Sequence, residues 1–444
     1  MRIGFSIATL LLFSSGYWRT AIADTDMPNY ELQMSFTGAR LKGVTLGDDA
    51  SLDRLDDDEI TISFDLSYPV NDQFYVFFGG DLFKESETVK TANTRSSESG
   101  FEPGGTGIGY VWGDNVEYQL EIGRIEYSDE RHWWWDENLD TLCLQIGLED
   151  VEFMLAAGSQ QGRERSSDDF IDPEESGIDR LLANIHWNLP GDQRLSFYFL
   201  SHEDESASYA LGDSIAENRA DESDADLRWF GLAYQGELEQ DSAGDIAWRI
   251  DYAQASGDEV VYGFSGSTVD AVDRFDIEAS AYELLLEWTP EWVDDVKFIF
   301  SHAVGSGDAN LGDSRAGSFR QSGLHSNEAD YLYYGELFQP ELSNIQIQTL
   351  GISLETIDNL DIVLLMHNYQ QDELDTEMRD VAIDLDTNGL NRGLGSEIDL
   401  IAAYQVLDGL ELEFIAAVFE AGDAYGANSG RKSRYWSIEL NYQF

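Results

Sequence analysis

Cysteine is almost absent from this sequence, since Cys143 is the single thiol in 444 residues. One thiol excludes an intramolecular disulfide framework and a zinc site built on cysteines. Long hydrophobic runs are also missing, because no stretch of 18 apolar residues follows residue 23. Helical membrane proteins are therefore excluded. Transmembrane barrels remain open, since each of their strands needs only about 10 alternating residues.

Basic residues are also few relative to acidic ones. The chain has 26 Lys and Arg against 86 Asp and Glu, which gives a formal net charge of -60. Such a field repels nucleic acid and favours cations, so no nucleic-acid partner is expected. The acidity is explained by solubility in a salty habitat, or by Ca2+ or Mg2+ bridging acidic surface loops to lipopolysaccharide. No stretch follows the EF-hand spacing, so we predict no dedicated metal site and no cofactor.

The first residues have the order of a secretory signal. A basic Arg2 precedes an apolar run over residues 3–13, and residues 21–23, Ala-Ile-Ala, have the small-x-small spacing of a cleavage site. The run is too short to span a bilayer as a helix. We therefore predict a signal peptide over residues 1–23 and one exported domain over residues 24–444. A buried N-terminal helix is the alternative, which the polar residues after the run disfavour.

A period of two dominates the exported part, and no long segment has the period of 3.6 that a helix requires. The alternation is plain in the closing segment YWSIELNYQF, where polar residues separate the apolar ones: Trp436, Ile438, Leu440, Tyr442 and Phe444. Successive side chains on a strand point to opposite faces, so this segment meets an apolar phase on one side and a wet one on the other. The sequence thus predicts an all-β protein.

About 18 strands are predicted from this alternation, and their number is even, as in single-chain bacterial barrels with both ends on the periplasmic side. Their approximate ranges are residues 30–44, 58–68, 73–84, 104–112, 115–127, 139–148, 151–159, 178–189, 193–202, 225–236, 244–255, 276–288, 295–305, 343–355, 359–370, 396–406, 409–420 and 432–444.

The connections between these strands alternate in length. Short ones such as PVND, WGDN, PGD and LDG are separated by long polar ones, including residues 306–342. Short periplasmic turns and long extracellular loops produce this order. We predict one transmembrane antiparallel β-barrel in the bacterial outer membrane, because closure removes the free edges and uses the whole exported chain. A secreted β-sandwich or propeller is the alternative, although no repeat of 40 to 50 residues supports a propeller.

Three stretches resemble the alginate export family of outer-membrane proteins. They are GRIEYSDERHWWWDENLDTLCL at residues 123–144, the GSGDANLG to LGISL stretch at residues 305–354, and GSEIDLIAAYQVLDGLELEFIAAVFEAGDAY at residues 395–425. The resemblance implies an 18-stranded barrel through which an anionic polysaccharide leaves the cell by diffusion, without enzyme activity. It also implies that arginines in the lumen select for polyuronate. The closing strand resembles the signal that the outer-membrane insertion machinery recognises.

Three arginines match the family's motif positions. Arg124 is expected to turn inward with Glu126 at a bulge after Gly123, because the outward phase slips there. Arg131 and Arg320 lie in long loops that would reach the constriction on folding inward. The alternative is that these two arginines pair with nearby carboxylates to fix the loops, and the partners considered are Asp136, Glu137 and Asp308.

The alternation along each strand also assigns side chains to the inward face, independently of the resemblance. The inward basic residues are Arg180, Arg249 and Lys297. Acidic residues are more numerous, namely Glu31, Asp65, Glu117, Glu121, Asp251, Glu397, Asp399, Glu411, Glu413 and Glu439. A lumen lined by acids favours cations, which departs from the arginine-rich pathway that the resemblance implies.

Aromatic and amide side chains in the loops complete the candidate contacts for a solute. They are Trp133, Trp134, Trp135, Tyr333, Tyr334 and Gln321. The tryptophans are interpreted either as an interfacial girdle or packed loop plug, or as a stacking platform for a sugar ring at the pore mouth.

Four functions stay open at this point. The first is a passive channel of the alginate-export type for an anionic or neutral glycan. The second is a general or cation-preferring porin for small solutes, which the acidic lumen favours. A hydrolase is remote, because His325 and Ser326 are adjacent on an extended chain and point apart. The fourth is an adhesin whose acidic loops bind a partner through divalent ions.

Overall fold

The computed structural model describes residues 29–444 except 44–45, 47–53, 91, 130, 164, 168–170, 172–176, 205, 208, 217–222, 241–242, 294, 329–330, 358, 380 and 384. The predicted signal peptide lies outside the described residues. No helix within the described ranges is long and apolar enough to cross a membrane.

One sheet contains all of the named strands. They are β1 Asn29–Lys42, β2 Arg54–Pro69, β3 Phe74–Val89, β4 Thr94–Trp112, β5 Glu117–Ser128, β6 Asp136–Gly147, β7 Val151–Ser159, β8 Ile178–Leu189, β9 Gln193–Asp204, β10 Ser223–Leu238, β11 Asp245–Ser265, β12 Thr268–Thr289, β13 Val296–Gly305, β14 Arg315–Ala316, β15 Ile345–Ile357, β16 Leu360–Gln371, β17 Gly393–Leu407, β18 Leu410–Ala421 and β19 Lys432–Gln443. A 3-10 helix, Asp423–Asn428, lies between β18 and β19.

Eighteen of these strands form a closed antiparallel barrel. Each pairs with its chain neighbour, and β1 pairs with β19 from Gln33↔Gln443 to Lys42↔Arg434, which closes the sheet. The remaining strand, β14, has two residues and pairs in parallel with β12. The predicted all-β barrel of about 18 strands is confirmed.

The two faces of the barrel wall differ as the alternation predicted. On β1, Tyr30 and Phe36 lie on the outer face and are exposed, whereas Ser35 between them faces inward and is partly buried. The outward side chains are likewise the more exposed ones along β2, β3 and β19 and along β5 as far as Ile122. Apolar side chains therefore form a belt around the barrel, which is the surface that lipid covers.

Several predicted loops are extended hairpins instead. β11 runs on to Ser265 and is joined to Thr268 by two residues, with Gly266 at φ +62. β3 and β4 are likewise lengthened to Val89 and Thr94. Strands that rise beyond the membrane have no lipid on their outer face, so they lose the apolar alternation by which the sequence predicted them.

Several connections pack into the barrel, and we call two of them the short inner loop (residues 129–135) and the long inner loop (residues 306–344). Their apolar residues belong to one buried cluster with inward side chains of the strands, among them Trp134, Tyr198, Phe338 and Phe419. The core of this protein therefore lies inside the barrel, between loops and wall.

Candidate functional site: the barrel interior

The short inner loop is folded around one carboxylate. Asp129 accepts hydrogen bonds from the backbone N–H of Trp134 at 2.7 Å and of Trp135 at 3.1 Å. Burial raises the pKa of the Asp129 carboxyl. The ring of Trp134 stacks on Tyr198 at 5.0 Å, and a β-carbon at Gly231 would lie 1.8 Å from its Cζ2 atom. A glycine on β10 thus admits the tryptophan against the barrel wall.

Arg131 is held by β12 and by the long inner loop. Its Nη2 atom lies 2.9 Å from Oε1 of Glu283, and its guanidinium carbon lies 3.6 Å from the ring centre of Tyr333. Glu283 also accepts hydrogen bonds from Ser301 Oγ at 2.7 Å and from Tyr334 OH at 3.0 Å. The pair is therefore buried, with the carboxylate of Glu283 well hydrogen-bonded and the Nε and Nη1 atoms of Arg131 without a hydrogen-bond partner among the described residues.

Two more arginines inside the barrel are bound to carboxylates. Arg249 makes a two-pronged contact with Asp251, at 2.8 and 3.1 Å, and donates to Gln235 at 2.9 Å. Arg320 of the long inner loop forms an ion pair with Glu259 on β11. Each guanidinium is thus already occupied by a protein carboxylate.

β17 holds the other end of the long inner loop. Glu397 accepts hydrogen bonds from the backbone N–H of Leu337 at 2.7 Å and of Phe338 at 2.9 Å. The Phe338 ring lies 4.9 Å from Phe419 and 4.8 Å from Tyr369. One buried carboxylate and one aromatic cluster therefore fix this segment against the wall.

Glu336, next to this anchor, has an unusual acidity. Burial raises its pKa to about 8, and the carboxylates of Asp399, Glu413 and Glu397 add to the rise. Its side chain accepts a hydrogen bond from the backbone N–H of Leu332 at 3.0 Å. The carboxyl is therefore largely protonated at neutral pH.

Part of the lumen is partly exposed, along β1, β2, β19 and the first residues of β18. Inward side chains of β1, β2, β18 and β19 are polar and partly exposed: Gln33, Ser35, Thr37, Thr61, Ser63, Asp65, Glu411, Glu413, Glu439 and Asn441. Of the charged residues in this set, all are acidic. The charged groups on the accessible face of the lumen are therefore carboxylates, whereas Arg131 and Arg320 belong to the inner loops and Arg249 is buried on β11.

Arg124 does not follow the prediction of a bulge. Pairing of β5 with β6 continues without a register shift from Glu117↔Gly147 to Ser128↔Asp136. Ile125 and Tyr127 are consequently inward and buried, and Arg124, opposite Asp140, has the strand position of the exposed Ile122 but is itself buried. The predicted bulge at Gly123 is absent, because the register of β5 with β6 is continuous there, and Glu126 is exposed.

The loop carboxylates proposed as arginine partners are used elsewhere. Asp136 lies 3.1 Å from Nδ1 of His132, and Asp308 accepts a hydrogen bond from the backbone N–H of Asn310 at 2.9 Å. Glu137 is exposed at the start of β6. The actual partners, Glu283 and Glu259, are distant in sequence and lie on strands that the loops reach only after folding.

The remaining candidate residues lie within the wall or the inner loops. Arg180 is buried and inward on β8, and Gln321 bonds to Asn327 and to the backbone N–H of Leu342 within the long inner loop. Trp133 donates to Tyr334 OH at 2.9 Å. The three tryptophans belong to a packed loop and not to an interfacial girdle, since they are 1 to 4% exposed.

Glu283 and Glu287 are inward acids that the assignment from alternation missed. They alternate on β12 with the outward Tyr282, Leu286 and Trp288, so the period-two pattern contained the signal.

A closed barrel of 18 strands with an apolar belt and a polar interior defines an outer-membrane channel. Solved structures have the same fold: OpdO of Pseudomonas aeruginosa superposes with a TM-score of 0.59 at 11% identity, covering 94% of this chain and 97% of that chain. OccK7 (OpdD) of the same species gives 0.58 at 12%, covering 94% and 99%. The alginate export family model matches residues 110–438, and the chain belongs to that family.

Two curated relatives are similar in sequence. The alginate production protein AlgE of Pseudomonas aeruginosa is 22% identical over 355 residues, which is 73% of this chain and 70% of the relative. The alginate production protein AlgE of Azotobacter vinelandii is 27% identical over 151 residues, 31% of this chain and 30% of the relative. The family comprises channels and not enzymes, so the hydrolase alternative is set aside.

Proposed function

We propose that this barrel is a passive outer-membrane channel for the export of an anionic polysaccharide of the polyuronate type. The observation that carries the proposal is the placement of Arg131, Arg249 and Arg320 inside the barrel, in a chain where basic residues are scarce. Membership of the alginate export family and the names of the two curated relatives support it.

Each of these arginines is bound to a carboxylate in the way that a uronate would bind. The guanidinium fork of Arg249 contacts both oxygens of Asp251, and a sugar carboxylate has the same two-oxygen geometry. A passing uronate exchanges with the protein carboxylate without leaving the arginine unpaired. Because the guanidinium groups are buried, this exchange requires the inner loops to move.

A cation-preferring porin is the second candidate, and the acidic lumen face favours it. Asp65, Glu411, Glu413 and Glu439 line the partly exposed side, with no basic residue among the inward side chains of the strands around them in the described ranges. Rings of carboxylates attract cations and repel a polyanion. On this view the scaffold of the family is kept for small-solute uptake.

The reversal potential of single channels in a planar bilayer under a salt gradient distinguishes the two. Polyuronate oligomers are then added to either side. We expect the oligomers to block the current in a concentration-dependent way. Cation selectivity together with no block at any oligomer concentration would overturn the export proposal in favour of the porin.

A variant pair links the block to the interior arginines. Arg249→Lys keeps the charge and loses the two-pronged contact, so block by the oligomers is expected to weaken several-fold. Arg228→Lys is the matched control, because Arg228 is more than half exposed on the outer face of β10. Equal block in both variants would argue against Arg249 as a contact.

Two partner predictions accompany this function. The outward residues of the closing strand are proposed as the signal for the insertion machinery, and Ca2+ or Mg2+ is proposed to link acidic loops to lipopolysaccharide. Trp436, Ile438, Leu440 and Tyr442 alternate on the lipid side, which supports the first.

A further inference from the structure

Basic side chains collect on one sector of the outer surface, at the loop end of the apolar belt. They lie on strands β19, β1, β2 and β3, and we call them the basic rim: Arg40, Lys42, Arg54, Lys84, Lys432 and Arg434. All six continue the outward phase of apolar belt residues. Arg40, for example, is four residues beyond the exposed Phe36 on β1.

Like charges are directly opposite one another within this rim. The register pairs Lys42 with Arg434 on one side and with Arg54 on the other. Cross-strand pairs of like charge destabilise a sheet. Three adjacent cations therefore repel one another, and of the three Arg54 alone has a carboxylate, that of Asp56, within ion-pair distance among the described residues.

Few carboxylates of the protein offset this repulsion. Asp56 is shared by Arg40, Arg54 and Lys90, at 2.9 Å from Arg40 and 3.6 Å from Lys90. Glu420 pairs with Lys432 at 2.9 Å. Among the described residues, no carboxylate lies within ion-pair distance of Lys42, Lys84 or Arg434.

The acids of β1, β3 and β19 are on the inward face, whereas β2 has acids on both faces. Asp57 and Glu59 of β2 face inward between the outward Asp56, Asp58 and Ile60, and Glu85 and Glu87 of β3 face inward beside Lys84. Charge is thus sorted by face on β3, where Lys84 is outward and the acids are inward, but not on β2, where Asp56 and Asp58 are outward with Arg54.

The position of the basic rim at the border of the apolar belt indicates which part of the membrane it contacts. Arg40 stacks over the ring of Trp436 at 5.0 Å, and tryptophan marks the interface between hydrocarbon and headgroups. A residue four positions beyond the belt is about 13 Å further along the strand, less when the strand is tilted, which is headgroup depth. We propose that the basic rim binds the phosphorylated headgroup of a lipid in the outer leaflet, with lysine and arginine contacting its phosphates directly.

The opposite sector of the barrel gives the contrast. Across β8 to β12 the register aligns a row of outward acids: Asp179, Glu203, Asp226, Asp258 and Asp276. Asp226 is four residues beyond the exposed Phe230, the same height as Arg40 above Phe36. Two sectors of equal height therefore carry opposite charge, and only the basic one binds phosphate without a bridging cation.

Native mass spectrometry of the detergent-purified full chain with bisphosphorylated lipid A tests the proposal, with EDTA present to remove bridging cations. Wild type is expected to retain lipid A in EDTA. Lys42→Gln, Lys84→Gln and Arg434→Gln combined are expected to weaken retention about a hundredfold, since each neutralised charge near an anionic lipid surface costs about fivefold. All three side chains are exposed, and heat-modifiable migration in gels checks that the variant folds.

Two matched variants complete the experiment. Lys42→Arg, Lys84→Arg and Arg434→Lys keep every charge and are expected to retain the lipid, whereas Asp226→Asn, Asp258→Asn and Asp276→Asn are expected to have no effect in EDTA. Loss of lipid A from wild type in EDTA would overturn the proposal, because binding would then depend on divalent ions. Displacement of the lipid by polyuronate oligomers of equal charge would also overturn it and assign the rim to the polymer.

Discussion

At the scale of single residues, the ion pair of Arg131 and Glu283 is one of the buried charge pairs inside the barrel. Their side chains are 4% and 2% exposed. Removing two charges from water costs several kcal/mol for each ion, which only the partner and further hydrogen bonds offset. Ser301 and Tyr334 provide those bonds to the carboxylate.

Glu283→Leu leaves the Arg131 guanidinium buried without its anion. We expect the free energy of unfolding to fall by about 3 kcal/mol. Removing both partners in Arg131→Met with Glu283→Leu is expected to recover most of this loss. Urea titration of the barrel in lipid vesicles, followed by tryptophan fluorescence, measures both.

The exposed Glu278 on the same strand supplies the control for this comparison, because Glu278→Leu removes a carboxylate that water already solvates. Its effect is expected to stay below 1 kcal/mol. A double variant as unstable as the single one would show that packing, and not the unpaired charge, determines the loss.

The raised pKa of Glu336 leads us to expect that the stability of the long inner loop depends on pH. Its pKa is about 8 in the folded chain and near its ordinary value of 4.5 when unfolded, so folding binds a proton between these pH values. The contribution of this group to the free energy of unfolding is greatest below pH 4.5 and decreases as the pH rises from 4.5 to 8. Above pH 8 it changes no further. Glu336→Gln is neutral at every pH and is expected to remove this part of the dependence.

Limited proteolysis of the long inner loop from pH 5 to pH 9 measures the effect. Cleavage in wild type is expected to increase toward pH 8, while Glu336→Gln stays resistant. Because Asp399, Glu413 and Glu397 are close to Glu336, variants at those positions would change the same profile. Identical profiles for wild type and Glu336→Gln would contradict the assignment.

At the scale of elements, the strands were predictable and the inner loops were not. Lipid on the outer face forces a period of two, which is visible in any one strand such as β1 or β19. The docking of a loop leaves no such period. Glu283 is 152 positions from Arg131, so spacing in the sequence gives no hint of their contact.

The contacts of Glu397 and Phe338 with the barrel wall allow a prediction of how the long inner loop is released. Glu397→Leu removes the acceptor for two backbone N–H groups, and Phe338→Ala removes the ring between Phe419 and Tyr369, at a cost of about 3 to 5 kcal/mol. We expect each variant to raise single-channel conductance. Anion preference is expected to rise as well, because Arg131 and Arg320 become accessible.

Leu311→Ala, on an exposed part of the same loop, is the control and is expected to conduct like wild type. Conductance that stays at the wild-type level in both anchor variants would mean that the loop does not limit the pathway. A rise in conductance without any change of reversal potential would separate the loop from ion selection.

At the scale of the whole molecule, closure fixes one register for every strand. Leu440 on β19 is paired with Phe36 of β1 and with Leu412 of β18, and all three point outward. A slip of one residue at the closing pair would move the apolar set of β19 to the lumen. The apolar belt therefore fixes the register of the closing strand pair, and that register keeps the belt continuous.

Two variants that place one added charge at neighbouring positions of β19 test this separation of faces. Leu440→Arg puts a guanidinium at the middle of the lipid-facing row of β19 and is expected to destabilise the barrel by about 2 to 4 kcal/mol. Asn441→Arg puts it in the partly exposed lumen among Glu411 and Glu439, where it is expected to be tolerated. Folding yield into vesicles and heat-modifiable migration report both. Equal defects at the two positions would mean that the faces of β19 are not separated by lipid and water.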